Sequence, residues 1–210
     1  MRAIFSFSII VIFLAASCET SPPVSDLQNG IVNGIVSEKT TDAGIPNAIV
    51  YLLGNEGGGT WGGGGSPSFE IDQTVSDANG NFSFLFDYNG NYGYYCTAIA
   101  EKYFNYYNEV PVDEDKVGVN NVEVKLQPIG YLRLNLKNVI PYNESDKIAI
   151  NGAITFSFVG DILDTILIFS VLGNYENFLY WGVTKNLTTI VYGDTLYCRS
   201  FDTTDFEIFY

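Results

Sequence analysis

The chain has 210 residues, of which 47% are hydrophobic and 15% aromatic, so a packed core is expected and a disordered acidic tail is excluded. Its 10 basic residues are outnumbered by 24 acidic ones, giving a formal net charge of −14. This balance argues against nucleic-acid binding, which needs clustered Lys and Arg, and against basic adhesion to anionic membranes. We interpret the acidity mainly as a contribution to solubility, with cation binding as the alternative.

Residues 1–18 have the layout of a bacterial lipoprotein export signal. Arg2 supplies the positive charge, Ile9 to Ala16 is an unbroken apolar run, and small residues come directly before Cys18. In proteins with such signals the chain is cut before the cysteine and the thiol is acylated. We therefore predict a cleaved signal peptide over residues 1–17 and a lipid on Cys18. The protein would be exported and anchored in the outer membrane, on its periplasmic or its cell-surface face.

Beyond the signal the chain divides into a tether and two predicted domains. Residues 18–29 are polar and contain two prolines, which is typical of a linker. After them, short apolar runs alternate with polar residues between turn residues, and no stripe of helical length is found. Many half-buried strands spaced by turns indicate β-sandwiches. We predict an all-β fold of two β-sandwich domains, residues 30–127 and 129–210, with the boundary at Pro128 to Gly130.

Five alternating runs support the strand prediction, because a period of two with one polar face is typical of a half-buried strand. Their apolar members are Phe82, Phe84 and Phe86; Val122, Val124 and Leu126; Leu132, Leu134 and Leu136; Ile154, Phe156 and Phe158; and Phe206, Ile208 and Tyr210. The final run reaches the last residue of the sequence, so we expect a terminal strand paired into a sheet.

Several segments of the first predicted domain occur in a characteristic order. They are Gly34–Val36, Thr40–Leu52, Thr74–Phe84, Tyr94–Ala100 and Asn121–Leu126. In this order they resemble the carboxypeptidase regulatory-like domain, a small Greek-key β-sandwich related in shape to transthyretin. Asp77 to Gly80 fits its tight turn, where Gly80 tolerates a positive φ. The sequence departs from the pattern at Lys102, where the family usually has Gly, and in the glycine-rich stretch Gly54–Pro67.

The resemblance implies a fold and no catalytic residues, because this domain is an accessory to peptidases in some proteins and occurs without any enzyme in many others. The ending Phe201–Tyr210 resembles the C-terminal β-domain that often follows such modules in exported lipoproteins of Bacteroidetes type. That second resemblance names no activity either.

The residue types available restrict the chemistry. The chain has no histidine, which excludes Ser-His-Asp and Cys-His catalysis and His-based zinc sites. Cys96 and Cys198 remain beside Cys18, either as free buried thiols or as a disulfide, and two thiols alone cannot form a zinc site. We predict no metal and no cofactor. Asp113-Glu114-Asp115 is interpreted as a solvated loop, with a weak calcium site as the alternative.

Aromatic residues in loops provide the candidate ligand-binding residues. Trp61 lies in the glycine-rich stretch, where it either packs on the sandwich or meets a ligand. Tyr103, Tyr106 and Tyr107 are interleaved with Asn, and rings with amides can stack on sugars and hydrogen-bond to them. The alternative is that Tyr and Asn are simply favoured at strand ends and turns.

These observations lead to a prediction of a non-catalytic, lipid-anchored cell-envelope protein that acts as a structural or interaction module. Its partners would be the membrane, through acyl chains on Cys18, and a cell-envelope protein or a polysaccharide. One alternative is a glycan-binding surface lipoprotein. A second is a glycoside hydrolase using two carboxylates that flank the scissile bond. The candidate acids for that reaction are Asp161, Asp164, Glu176, Asp194, Asp202 and Asp205.

Overall fold

The computed structural model describes residues 28–56, 68–105, 108–112 and 118–210, and these residues form strands, turns and loops. Within these ranges no helix is long and apolar enough to cross a membrane. The strands are β1 (Gln28–Glu38), β2 (Ile49–Glu56), β3 (Ser68–Val75), β4 (Asn81–Tyr88), β5 (Tyr92–Ile99), β6 (Tyr103–Phe104), β7 (Val110–Pro111), β8 (Val119–Lys137), β9 (Lys147–Gly152), β10 (Phe156–Val159), β11 (Asp164–Leu172), β12 (Tyr175–Lys185), β13 (Thr188–Cys198) and β14 (Thr203–Phe209). The predicted all-β class with two β-sandwiches is confirmed.

The first sandwich encloses the first hydrophobic core between two sheets. One sheet contains β4, β1 and the first half of β8, with β1 antiparallel to β4 and parallel to β8. The facing sheet has the order β3-β2-β5-β7. Alternate residues of each strand point inward, so Val36, Leu52, Phe84 and Val124 meet in the core and are at most 2% exposed. Each such side chain contributes about 1.5–3 kcal/mol by its burial.

The second sandwich is built in the same way around the second half of β8. That half lies between β11, which is antiparallel to it, and β14, which is parallel. The facing sheet has the order β10-β9-β12-β13. Leu134, Ile148, Ile150 and Leu179 are fully buried between the sheets. The predicted terminal strand is present as β14, and Tyr210 continues its pairing by donating its backbone N–H to the carbonyl of Lys137 at 3.0 Å.

Strand β8 runs through both sandwiches, so the prediction of two separate strands on either side of Pro128 was wrong. Its 19 residues alternate between a buried and a less buried side throughout. Residues up to Leu126 enter the first core and residues from Leu132 enter the second. Pairing with β1 ends at Leu126 and pairing with β11 begins at Ile129, so Pro128 lies where the neighbouring strands change. At about 3.3 Å per residue, β8 spans about 60 Å.

Turn positions explain two features of the sequence. The Asp77–Gly80 turn is present as predicted: Oδ1 of Asp77 accepts from the backbone N–H groups of Asn79 and Asn81 at 2.8 Å each, and Gly80 has φ 86°. Lys102 has φ 66°. This left-handed conformation favours glycine, and glycine is the residue that the carboxypeptidase regulatory-like domain usually has at this position.

Two predicted boundaries differ from the structure. β1 begins at Gln28, inside the predicted tether of residues 18–29, whose remainder lies outside the described residues. The predicted run from Ile154 to Phe158 begins as a turn, because β10 starts only at Phe156. Ile154 is nevertheless buried, with 5% of its surface exposed, so it contributes to the core from a turn.

The two described cysteines are free thiols and lie in different cores, Cys96 in the first and Cys198 in the second. The disulfide alternative is therefore excluded. Burial raises the pKa of the Cys96 thiol from 9.0 to about 12, so this group is an unreactive apolar core residue at neutral pH.

Candidate functional site at the junction of the two sandwiches

A buried glutamate at the end of β1 joins the two sandwiches. Glu38 is 6% exposed. Its Oε1 accepts hydrogen bonds from the hydroxyls of Thr40 at 2.9 Å and Thr41 at 3.2 Å, and its Oε2 accepts from the hydroxyl of Tyr103 at 3.1 Å. From the second sandwich, Nδ2 of Asn174 donates to Oε1 at 3.2 Å. A buried carboxylate needs such donors, so this group holds both sandwiches together.

Asn174 is fixed by contacts on both sides of the junction. It lies in the turn between β11 and β12 with φ 51°, and its Oδ1 accepts from the backbone N–H of Ser200 at 3.0 Å. Next to it, Gly173 donates its N–H to the carbonyl of Pro128 at 2.8 Å and accepts from Nε2 of Gln127 at 2.9 Å. A Cβ on Gly173 would lie 2.8 Å from Cα of Ser200, so only glycine fits there.

Tyr103 is part of this junction. Its ring packs edge-on against Phe201 of the second sandwich, with centroids 5.3 Å apart and an interplanar angle of 72°. Burial raises the pKa of Tyr103, and the hydrogen bond to Glu38 raises it further. The hydroxyl predicted to bind a ligand is thus engaged within the chain. The other predicted site residues, Cys18, Trp61, Tyr106 and Tyr107, lie outside the described residues.

A groove of about 470 Å³ opens beside the junction. The groove is lined by Phe104 of β6, by Gly152 and Ala153, and by the end of β11 and the start of β12, where Tyr175, Glu176 and Phe178 lie. Tyr175 is 51% exposed and Phe178 is 54% exposed. Phe104 is adjacent in the strand to Tyr103, so the groove lies beside one of the residues that the sequence singled out.

The shape of the groove is fixed by buried polar contacts beneath it. Asn177 is 3% exposed, and its Nδ2 donates to the carbonyls of Leu172 at 2.8 Å and Tyr175 at 3.1 Å. Gly152 has φ 111°, and a Cβ there would lie 2.3 Å from the carbonyl oxygen of Phe178. These contacts fix the backbone of the β12 start and of Gly152 where they line the groove.

Aromatic rings extend from the groove onto the outer face of β12. The ring of Phe178 lies 6.0 Å from that of Tyr180 at 33°, and it covers Gly193 of the neighbouring strand β13. Aromatic faces provide apolar contact, while the hydroxyl of Tyr175 and the carboxylate of Glu176 provide hydrogen-bonding groups. This combination suits an elongated amphipathic ligand.

The carboxylates proposed for hydrolysis are dispersed. Asp164 is paired with Lys137 at 2.6 Å, and Asp205 is paired through two bonds with Arg133. Asp161 and Asp202 lie in loops, Asp194 lies on β13, and Glu176 lies at the groove. Glycoside hydrolysis needs two carboxyl groups flanking one bond, and Glu176 is the one acidic residue among those lining the groove.

No group of three or more His, Cys, Asp or Glu side chains in the described part of the chain is placed to hold a metal ion. The acidic run Asp113-Glu114-Asp115 lies outside the described residues, so its alternative as a calcium site stays a prediction.

Sequence reasoning missed Glu38, Asn174 and the pair Tyr175 and Phe178. Glu38 and Asn174 are 136 residues apart, and nothing local marks either as a partner of the other. The sequence gives only a weak indication that Tyr175 and Phe178 belong to a site, because aromatic residues near an acidic residue such as Glu176 are common at the ends of strands.

No family model matches the chain, and no curated protein matches it. Among solved structures it is similar to a DUF3823 family protein from Parabacteroides merdae, with 12% identity over 83% of this chain and 100% of that one and a TM-score of 0.35. It is also similar to GBS52, the minor pilin of Streptococcus agalactiae, with 12% identity over 87% and 94% and a TM-score of 0.41. The Bacillus anthracis TIE protein matches with 13% identity over 86% of this chain but only 34% of that one, at a TM-score of 0.38. At these identities and scores, no family and no activity is transferred.

Proposed function

We propose that the chain is a non-catalytic, lipid-anchored protein of the cell envelope that acts as a stiff structural and interaction module. The observation that carries this proposal is the joint between the sandwiches. β8 belongs to both cores, and Glu38 accepts hydrogen bonds from both sides of the junction. Domains that must close on a substrate need a hinge, whereas this joint favours a fixed spacing between an anchor and a binding surface.

The direction of β1 supports an anchoring role. β1 and β8 are parallel, with Ile31 opposite Val119 and Glu38 opposite Leu126. β1 therefore enters the first sandwich at the end away from the junction and leaves it at the groove. A lipid on Cys18, joined through residues 19–27, would hold the far end of the first sandwich near the membrane. The groove would then lie at least about 23 Å further along the molecule, the length of seven residues of strand.

Fractionation of cells that produce the full chain tests this proposal. We expect the wild-type protein in the membrane fraction, released by detergent but not by salt, because two or more acyl chains anchor stably. Cys18→Ala should lose this association, and Ser21→Ala, a neighbouring change that leaves the thiol intact, should keep it. Wild-type protein recovered from the soluble fraction of the cell interior would contradict the proposal.

A second candidate function, glycan binding, is favoured by the two exposed rings of the groove. Tyr175 and Phe178 present about half of their surface to solvent on a wall fixed by Asn177. Affinity electrophoresis through gels containing soluble plant or bacterial polysaccharides provides the measurement. We expect retardation that is lost in Tyr175→Ala and Phe178→Ala. Two equally exposed rings elsewhere serve as controls, Tyr142→Ala and Phe209→Ala, at 48% and 54% exposure. Equal mobility in every gel would eliminate this second function and leave the first intact.

A further inference from the structure

A pull on the start of β1 can reach the second sandwich by two routes. Along the covalent chain, the route from β1 to β8 runs through residues 39–118, which contain β2 to β7. Through hydrogen bonds the route is direct, because Ile31–Glu38 pair with Val119–Leu126 of β8. Of the described strands, β8 alone contributes to both cores. The pairing of β1 with β8 therefore lets tension bypass most of the first sandwich.

The direction of the two strands decides how this pairing is loaded. β1 is parallel to β8, so its start lies at the end of the first sandwich away from the junction. A pull on that start against a pull on the second sandwich slides the two strands along one another. The evenly spaced hydrogen bonds of a parallel pair are then strained together. Strands that are pulled apart sideways lose the same bonds one after another, which needs less force.

β1 is held on its other side as well. Gln28–Ile35 pair antiparallel with Asn81–Tyr88 of β4, so β1 lies between two strands of one sheet. Val32 and Val36 are fully buried in the first core, and the backbone N–H of Val36 donates to the carbonyl of Gly80 at 2.8 Å. β1 therefore cannot slide without breaking two hydrogen-bonded ladders and moving apolar side chains out of the core.

The second sandwich repeats this arrangement with β14. Thr203–Phe209 pair in parallel with Tyr131–Lys137 of β8. The backbone N–H of Tyr131 donates to the carbonyl of Asp202 at 3.0 Å, and that of Tyr210 donates to the carbonyl of Lys137 at 3.0 Å. A pull on the end of β14 therefore also slides parallel strands along one another. Because β1 and β14 pair with different halves of β8, the covalent backbone of β8 carries the tension between them.

We propose that the chain is a tension-bearing connector between its membrane anchor and a partner held by the second sandwich. The pairs β1–β8 and β14–β8 act as shear clamps, meaning parallel strand pairs that are loaded along their length. This inference rests on the proposed function for the points at which the load is applied. It goes beyond stiffness, because an antiparallel β1 would begin beside the junction and would peel away from β8 under the same load.

Single-molecule pulling on the full chain with Cys18→Ser tests the proposal, and its result does not depend on whether the natural chain is lipidated. Thiol handles at Asn29→Cys and Phe209→Cys, the lengthwise pair, load both clamps along the strands. Handles at Asn29→Cys and Val119→Cys, the sideways pair, pull β1 away from β8. All three positions are exposed, whereas the two described native cysteines are buried. We expect the lengthwise pair to rupture at about twice the force of the sideways pair or more, because evenly spaced bonds share the load. Equal forces, in chains with equal urea midpoints, would overturn the proposal.

The extension gained at each rupture shows which clamp has failed. Failure of β1–β8 in the lengthwise pair frees residues 29–126, a gain of about 300 Å at about 3.3–3.6 Å per residue, less the folded length. Failure of β14–β8 frees residues 131–209, a gain of about 250 Å on the same basis. We expect two abrupt steps of these sizes. A gradual extension that begins at low force would overturn the proposal, because it would show that the load does not pass through the clamps.

Lys39→Pro separates the clamp from overall stability. The backbone N–H of this exposed residue donates to the carbonyl of Leu126 at 2.9 Å, at the junction end of the β1–β8 pairing, and proline has no N–H group. Sliding strains this bond together with the others, whereas sideways pulling strains it last. We expect Lys39→Pro to lower the rupture force of the lengthwise pair and to leave that of the sideways pair unchanged. Lys39→Ala, which keeps the N–H group, should change neither force, and an equal loss in both geometries with Lys39→Pro would overturn the proposal.

Discussion

Replacing Glu38 by alanine should weaken the joint between the sandwiches by about 1–3 kcal/mol. The change removes the acceptor of the Tyr103 hydroxyl and one of the two acceptors of Nδ2 of Asn174, which also donates to the hydroxyl of Thr40 at 3.3 Å. Both side chains are half-buried. A buried donor left without an acceptor costs about 1–3 kcal/mol. Thr40 and Thr41 are exposed and regain hydrogen bonds to water, so they add little. The loss is a large share of the roughly 5–15 kcal/mol by which a typical domain is stable.

The two buried cysteines provide the assay for this loss. Labelling of Cys96 reports the unfolding of the first core, and labelling of Cys198 reports that of the second. Both thiols are buried away from the reagent in the folded protein. Thiol labelling across a urea series, resolved by peptide mass spectrometry, gives an unfolding midpoint for each sandwich. In the wild type we expect the two midpoints to coincide, because β8 and Glu38 couple the cores. In Glu38→Ala we expect both to fall and to separate.

Two further variants define what would refute this reasoning. Glu38→Gln keeps an acceptor for Asn174 but loses the charge, so its loss should be smaller than that of alanine. Glu101→Ala removes an exposed glutamate close to Tyr103 and should change stability by less than about 0.5 kcal/mol. A Glu38→Ala protein with the stability of Glu101→Ala, and with coincident midpoints, would show that the carboxylate does not join the sandwiches.

Three other outcomes are expected from the same urea measurements. Lys102→Gly should raise the stability by about 0.5–1 kcal/mol, because Lys102 has φ 66°, whereas Glu101→Gly should lower it. Burial raises the pKa of the Cys96 thiol to about 12 in the folded chain. The stability linked to this shift is fully present below pH 9 and is lost as the pH rises towards 12. Cys96→Ala should therefore flatten the decline of stability between pH 9 and 12, and an unchanged slope would contradict this. The pKa of Asp77 is lowered mainly by the hydrogen bond from the Asn81 side chain, and further by the backbone N–H groups of Asn81 and Asn79. The contribution of this carboxylate to the stability of the fold is therefore present at neutral pH and decreases as the pH falls below 3.8. Asp77→Ala should thus destabilise the fold more at pH 7 than at a pH well below 3.8, and equal effects at both pH values would refute that cause.

The strands with one buried face were predictable from the sequence. Phe82, Phe84 and Phe86 alternate with more polar or exposed positions, and the alternation matches the burial along β4. β13 was not predicted, since a strand exposed on both faces has no reason to alternate. Its sequence reads Thr-Thr-Ile-Val-Tyr-Gly without a period of two.

The continuity of β8 and the candidate site could not be predicted from local patterns. Pro128 reads as a strand break because it lacks an N–H group, and only the neighbouring strands reveal that its position needs none. The junction depends on contacts between distant positions such as Glu38 and Asn174, and the groove depends on where β6 lies beside β12. The sequence named Tyr103 as a candidate ligand-binding residue, and in the structure its hydroxyl donates a hydrogen bond to Glu38.

The most direct test of the central claim, a lipid-anchored module, is the mass of the N-terminal peptide of the protein isolated from cells. The account predicts that the mature chain begins at Cys18 and that this residue carries acyl chains. A mature protein that begins at Met1 and carries no lipid would contradict the account.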